Sequence, residues 1–153
     1  MPKQSAGILL YRKTTSGPEF FLVHPGGPFF RNKDDGAWSI PKGEFTDEED
    51  ALTAAKREFE EETGSAIDGH FIPLTPVKLK SGKTVQAWAV ESNIDHTQIT
   101  SNTFTIEWPP KSGKMQAFPE VDRAGWFGYD AAIIKINAAQ TGLLEELNGI
   151  LNK

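Results

Sequence analysis

The sequence predicts an α/β protein in which strands and helices alternate along the chain and one mixed sheet lies between helical layers. Short apolar runs typical of strands come first, a helical segment and further strands follow, and two segments with helical periodicity end the chain. The 153 residues, 38% of them hydrophobic, are enough to bury one core. We therefore expect a single domain over residues 1–153.

The first two strands are predicted at residues 6–11 and 19–24, because residues 14–18 between them have the composition of a turn. Both runs are apolar on successive residues, which is typical of strands covered on both faces. Another short strand is expected within residues 37–44. Pro41 should end that strand, because proline has no N–H to donate to a sheet.

The later strands are predicted from shorter patterns. Residues 84–91 follow a Ser-Gly turn and have the composition of a strand. Residues 93–119 are long and irregular, with one edge strand at 103–107 that the following proline pair should stop. The terminal helices are predicted at residues 130–137 and 140–152.

The helix between these strands holds most of the chain's acidity. Residues 44–62 contain nine acidic residues against two basic ones, a net charge of −7, whereas the whole chain carries −5. Thr46 followed by Glu49 is a capping-box pair, so we expect the helix to begin near Asp47. Gly64 is a natural residue for its C-terminal end.

Three carboxylates near the end of this helix should repel one another. Glu58, Glu61 and Glu62 are spaced i, i+3 and i+4, so they share one face, and each close pair costs roughly 0.2–0.5 kcal/mol when exposed. A divalent cation such as Mg²⁺ prefers carboxylate oxygens and would turn this repulsion into a binding site. The alternative is a solvated acidic face. The opposite face should meet the core through Leu52, Ala55 and Phe59.

The same stretch resembles the Nudix box. That motif is a glycine, five residues, a glutamate, seven residues, and then Arg-Glu-apolar-any-Glu-Glu-any-Gly-apolar. The chain matches it at Gly43, Glu49, Arg57, Glu58, Phe59, Glu61, Glu62 and Gly64. Ser65 departs from the motif, because it stands where the final apolar residue belongs. This departure affects packing at the helix exit rather than metal binding.

The resemblance to the Nudix hydrolases implies an α/β/α sandwich and hydrolysis of a phosphoanhydride in a nucleoside diphosphate linked to another moiety. It also implies two or more Mg²⁺ ions, with Mn²⁺ as a substitute, held by Glu58, Glu61 and Glu62. The proton acceptor would be Glu58, Glu61 or Glu120. Asp122 competes with Glu120 for the role of the further carboxylate.

Other residues of the motif have supporting roles by the same resemblance. Arg57 would hold Glu49 or a neighbouring carboxylate in place. Gly43 and Gly64 would supply the backbone freedom that the loop and the helix exit need.

Candidates for substrate binding lie outside the helix. Residues 25–36 form a loop by composition, and it would act as a substrate lid that stacks a base or holds a phosphate through Phe29, Phe30, Arg31 and Lys33. By the resemblance, Lys42 would touch phosphate and Trp88 would line a nucleobase pocket. The structural alternatives are a buried anchor for the loop aromatics, charge balance for Lys42 and a core position for Trp88.

Several substrates are compatible with the motif. The PKGE segment before the helix looks most like the enzymes that cleave diadenosine tetraphosphate. Pyrophosphatases for oxidised nucleoside triphosphates and for sugar nucleotides share the same box. A catalytically silent, nucleotide-sensing Nudix module is the alternative of a different class. In each case the partner is a small nucleotide, and the protein is expected to be a monomer or homodimer.

Composition excludes other classes of function. The chain has no cysteine, which excludes disulfides, zinc thiolate sites and thiol nucleophiles. A pI near 5.2 without a basic run argues against duplex nucleic acid as a partner. The apolar run near the N-terminus is too short for a signal peptide or a membrane span, so we expect a cytoplasmic protein that does not insert into membranes.

Overall fold

The computed structural model of the protein describes residues 3–153, with nine strands and three α-helices in that range. The strands are β1 (Gln4–Thr14), β2 (Gly17–Pro25), β3 (Lys42–Phe45), β4 (Ile72–Pro73), β5 (Val77–Lys78), β6 (Thr84–Glu91), β7 (Thr103–Glu107), β8 (Met115–Pro119) and β9 (Val121–Gly128). The helices are α1 (Ala51–Thr63), α2 (Tyr129–Lys135) and α3 (Thr141–Leu151).

Strand β1 is the centre of a seven-stranded mixed sheet. It pairs in parallel with β6 and antiparallel with both β2 and β3, while β9 extends the sheet beyond β2. The predicted hairpin of β1 and β2 and the strand at Thr84–Glu91 are confirmed.

Two apolar clusters cover the two faces of the sheet. Along β1, Ile8 and Leu10 face the cluster that contains Phe59 of α1, whereas Leu9 faces the cluster that contains Leu144 of α3. Successive residues of a strand point to opposite faces, so burial on both faces requires the continuous apolar run that predicted this strand. The expected α/β/α sandwich is confirmed.

Two strands share one edge of β1, and β2 and β3 each pair with a different part of it. Residues 4–7 of β1 pair with β3, whereas residues 11–14 pair with β2. Between them, the N–H of Ile8 donates to the carbonyl of Pro41 at 3.1 Å. The prediction that Pro41 ends a strand is wrong, because β3 begins at the residue after it. Proline still contributes a carbonyl acceptor, so it can stand just before a strand.

Helix α1 begins four residues later than predicted. Its N-cap is Asp50, whose side chain accepts from the N–H of Thr53 at 3.1 Å. The expected Thr46–Glu49 capping box is replaced by a backbone turn, in which the N–H of Glu49 donates to the carbonyl of Thr46. The predicted C-terminal end is confirmed, because Gly64 adopts a left-handed conformation with φ of 81° and donates to the carbonyl of Glu60.

The apolar position that Ser65 leaves open is supplied two residues later. Ile67 is buried and packs in the same cluster as Phe59. Leu52 is partly buried against this cluster, and Ala55 is inside it. The predicted apolar face of α1 is therefore confirmed.

A separate two-stranded sheet projects from the rest of the protein. The predicted edge strand β7 is confirmed, but its partner β8 lies in the segment predicted to be irregular. Most side chains of β8 are exposed, so its sequence lacks the apolar alternation that identifies a strand. The terminal helices are confirmed as α2 and α3. Among residues 3–153, no helix has the length and apolar character needed to cross a membrane.

Candidate active site

Glu58 lies at the junction of α1 and β3. Its side chain is buried although it carries a carboxylate, and it lies directly against Gly43, where any Cβ would overlap it. Burial raises the pKa of Glu58, and the neighbouring Glu61 and Glu120 raise it further, while a hydrogen bond from Arg57 opposes the shift. A buried carboxylate surrounded by other carboxylates is costly to ionise without a cation.

Arg57 holds three carboxylates together. Its Nε and Nη2 donate to the two oxygens of Glu49 at 2.8 and 2.9 Å, which is the bidentate arrangement that the guanidinium favours. Its Nη1 donates to Glu58 at 2.9 Å and to Glu61 at 3.3 Å. These bonds raise the pKa of Arg57, first through Glu49, so it stays charged. The predicted contact between Arg57 and Glu49 is present.

Glu62 and Lys42 face a cavity of about 130 Å³ in the opening between β2 and β3. The pKa of Glu62 is raised to about 8, mainly by burial, with smaller contributions from Glu120 and Glu58 and with Lys42 opposing the shift. Burial lowers the pKa of Lys42, against the attraction of Glu62, Glu44 and Glu58. The cavity therefore places a cation beside a carboxylate whose ionisation is disfavoured.

Glu120 joins this group from a distant part of the sequence. It connects β8 to β9 and lines the same cavity. Its backbone is fixed on both sides, because its N–H donates to Asn102 and its carbonyl accepts from Gly26. Burial raises the pKa of Glu120, and the charge of Glu61 adds to the shift. The four carboxylates of Glu58, Glu61, Glu62 and Glu120 are thus electrostatic neighbours.

Asp122, the alternative to Glu120, points elsewhere. Its Oδ1 lies 2.8 Å from Nδ1 of the fully buried His24, whose Nε2 lies 2.6 Å from the carbonyl of Lys33. The neighbouring Arg123 guanidinium lies 5.3 Å from the ring of Trp38. Geometry favours Glu120 as the further carboxylate.

The other predicted binding residues are more dispersed. Phe30 and Arg31 are exposed on the loop after β2, with the Lys33 ammonium 5.4 Å from the Phe30 ring. Trp88 is partly buried against the cluster under α1 and does not line the cavity of Glu62. The structure therefore brings Lys42 to the carboxylates but not Trp88. The substrate-binding roles of all four residues stay predictions.

Gln140 is a supporting residue that the sequence did not reveal. It is 2% exposed, accepts from the N–H of Ile40 at 3.1 Å, and donates to Ser39 at 3.0 Å. Ser39 and Ile40 line the cavity, so Gln140 holds its wall. Its position just before the last helix resembles any polar helix start, and no sequence signal distinguished it.

The donor set fits a hard divalent cation in kind. Carboxylate oxygens are the ligands that Mg²⁺ prefers. Burial first and neighbouring carboxylates second raise the pKa values of Glu58, Glu62 and Glu120, and a bound cation would favour their ionised forms. As the side chains stand in residues 3–153, no three acidic or histidine groups converge closely enough to hold an ion. The Arg57 guanidinium instead occupies oxygens of Glu58 and Glu61.

Comparison with known proteins identifies the family. The family model of the NUDIX domain matches residues 1–147, nearly the whole chain. The chain belongs to the Nudix family. The matched region includes all the carboxylates described above.

Solved structures share the fold of this Nudix-family chain at low sequence identity. A binary complex of Ap4A hydrolase from C. elegans is 23% identical over 98% of both chains, with a TM-score of 0.64. The NUDIX domain of NrtR from Shewanella oneidensis, complexed with ADP ribose, is 16% identical over 99% of this chain and 89% of that one, with a TM-score of 0.67. A mutT/nudix family protein from Listeria innocua is 16% identical over 99% and 96%, with a TM-score of 0.63. No curated protein sequence matches the chain.

Proposed function

We propose that this Nudix hydrolase is a divalent-cation-dependent pyrophosphohydrolase that cleaves a nucleotide whose diphosphate is linked to another moiety. Its substrate is a dinucleoside polyphosphate or a nucleoside triphosphate. The observation that carries the proposal is the group of four neighbouring carboxylates beside Lys42. Such a group repels a polyphosphate unless a cation lies between them, whereas Lys42 attracts it directly.

Glu58, Glu61 and Glu62 would hold Mg²⁺, with Mn²⁺ as a substitute. A divalent ion bound there supplies positive charge to the diphosphate and acidity to the attacking water. Arg57 holds Glu58 and Glu61 close together and also contacts the motif residue Glu49. Lys42, lining the same cavity as Glu62, is placed to neutralise a phosphate oxygen.

In the reaction, a water oxygen forms a bond to phosphorus while the bridging P–O bond breaks and the leaving phosphate departs with its electron pair. A proton of the water passes to a carboxylate. Glu120 is the preferred acceptor, because it lines the cavity and burial makes it a stronger base than an exposed glutamate. Glu58 and Glu61 remain the alternatives.

Two observations on relatives bear on the substrate. One related fold is an Ap4A hydrolase, and another is a NUDIX domain that holds ADP ribose. Both ligands contain a nucleoside and a polyphosphate chain, so they favour a nucleotide substrate for this chain. The ADP-ribose complex also leaves open a nucleotide-sensing module, but the complete carboxylate set favours an enzyme.

The test is hydrolysis of a substrate panel with products identified by chromatography. The purified protein is incubated with Mg²⁺ or Mn²⁺ and diadenosine tetraphosphate, ATP, an oxidised dGTP, ADP-ribose or UDP-glucose. Metal-dependent cleavage of diadenosine tetraphosphate to ATP and AMP, or of a nucleoside triphosphate, supports the proposal. Nucleotide binding without cleavage under either metal would favour the sensing module instead.

A further inference from the structure

An exposed phenylalanine of the loop after β2 meets a partly buried tryptophan of the hairpin of β7 and β8. Phe29, on the loop after β2, is 61% exposed, and its ring lies edge to face with Trp108 at 5.5 Å between centroids. The adjacent Phe30 is also exposed, and contiguous apolar patches with a polar rim mark binding sites on protein surfaces. We propose that Phe29 and Trp108 form the platform on which the nucleobase of the substrate stacks. This inference rests on the function proposed above.

The platform lies within reach of the reacting phosphate. The N–H of Gly26 donates to the carbonyl of Glu120 at 2.9 Å. Phe29 follows Gly26 by three residues, so its Cα lies no more than roughly 11 Å from that of Gly26. A nucleotide with its base on Phe29 can therefore extend its phosphates towards Glu120.

Trp108 is held by a well-defined turn rather than by a loose tip. The carboxylate of Glu107 accepts from the N–H groups of Lys111 and Gly113 at 3.0 and 3.2 Å, and the N–H of Trp108 donates to Lys114 at 2.9 Å. This fixes Lys111 at φ of 62°, a conformation that residues other than glycine seldom adopt. The position of Trp108 is thus set before any ligand binds.

The loop and the hairpin of β7 and β8 also pack together at their base. Gly27, with φ of 97°, lies so close to Phe104 of β7 that an added Cβ would meet the ring at 2.8 Å. With the Phe29–Trp108 contact, the loop and the hairpin touch at two points. The same loop is joined to Glu120 by the backbone bond of Gly26.

The charge of this surface is complementary to a polyphosphate. Arg31 and Lys33 on the loop and Lys111 and Lys114 on the hairpin are all exposed, and within residues 3–153 none forms an ion pair. Their acidic neighbours are already engaged, because Asp34 and Asp35 pair with Lys135 and Glu107 binds turn amides. Four cations without ion-pair partners on the segments that carry Phe29 and Trp108 favour a nucleotide over an apolar ligand.

Binding of two matched ligands by calorimetry tests the platform. The ligands are a methylene-bridged ATP analogue, which resists hydrolysis, and inorganic tripolyphosphate, which has no base, each with Mg²⁺. Trp108→Ala should raise the Kd of the analogue by about tenfold or more, because one stacking contact is lost. The Kd of tripolyphosphate should be unchanged. Trp108→Phe should bind the analogue with a Kd within about threefold of the wild-type value, because phenylalanine also stacks. Ile134→Ala, which truncates another exposed apolar residue, is the control.

The outcomes separate this inference from the proposed function. If the wild-type protein cleaves nucleotides and Trp108→Ala binds the analogue as tightly as the wild type does, the platform is wrong and the proposed function stands. An equal loss of affinity for both ligands in Trp108→Ala would also overturn the platform, because Trp108 would then not be recognising the base. If the wild-type protein binds only tripolyphosphate, or neither ligand, the platform is wrong, and the cleavage panel decides the proposed function separately.

Discussion

The carboxylate of Glu58 lies against Gly43, in the space that any larger residue at position 43 would need. Gly43 is in strand β3, and Glu58 is on the facing side of α1. The motif glycine is therefore required for space rather than for the backbone freedom that the sequence suggested. The contact lets β3 approach the acidic end of α1 closely enough for Lys42 to face Glu62.

Replacing Gly43 by alanine should displace Glu58. We expect Gly43→Ala to reduce turnover by about a hundredfold, because misplacing a reacting group by about 1 Å is enough for such a loss. Overpacking should also lower the free energy of unfolding by roughly 1–3 kcal/mol. Gly149→Ala is the control, because nothing lies within 4 Å of a Cβ at that helical position. Wild-type turnover in Gly43→Ala would contradict the account.

The stability of the metal-free protein should depend on the pH through Glu62. Its folded pKa is raised to about 8, above the ordinary value of 4.5, so the folded state binds the proton more tightly than the unfolded state. This contribution is fully present below about pH 4.5 and is lost as the pH rises towards about 8. Urea unfolding in EDTA across this window should show wild-type stability falling relative to Glu62→Gln. If the free energies of unfolding of the two proteins change in parallel with pH, the raised pKa of Glu62 is contradicted.

Glu120 should affect the chemical step more than binding. We expect Glu120→Gln to lower kcat by about a hundredfold or more with KM changed by less, because the carboxamide cannot accept the proton. Asp122→Asn is the matched control, since Asp122 contacts His24 instead of the cavity. Steady-state kinetics of both variants decide the matter. Unaltered kinetics in Glu120→Gln would move the role to Glu58 or Glu61.

Gln140 should contribute to stability and to the shape of the cavity. Gln140→Leu leaves the buried N–H of Ile40 without its acceptor, which should cost roughly 1–3 kcal/mol in the free energy of unfolding. Denaturant unfolding measures this loss. Gln116→Leu is the control, because Gln116 is exposed on the hairpin of β7 and β8. An equal and small effect in both variants would show that the Gln140 bonds are unimportant.

Local patterns sufficed for much of the fold. The apolar runs of β1 and β2 and the Gly64 helix end follow from short-range chemistry, and each was confirmed. The start of α1 was missed because two capping signals lie close together, and Glu49 is used by Arg57 rather than by the helix. Strand β8 was missed because its side chains are exposed.

The candidate site was predictable only where spacing along one helix fixes it. Glu58, Glu61 and Glu62 must share a face at their spacing, whereas the approach of Glu120 depends on the sheet that brings β9 beside β2. Trp88 illustrates the converse case. The family resemblance suggested a nucleobase pocket for it and the chain pattern a core position, and the parallel pairing of β6 with β1 packs it, partly buried, under α1. Its role in binding stays a prediction.

The most direct test of the account compares two neighbouring glutamates of α1. Glu61 contacts Arg57 and adjoins Glu58 and Glu120, whereas Glu60 is exposed. With Mg²⁺ and a cleaved nucleotide, Glu61→Gln should lose about a hundredfold or more in turnover, and Glu60→Gln should match the wild type. Mg²⁺ should also raise the Tm of the wild type and of Glu60→Gln, and raise that of Glu61→Gln less. Near-wild-type turnover of Glu61→Gln, with an unchanged response to Mg²⁺, would contradict the carboxylate metal site.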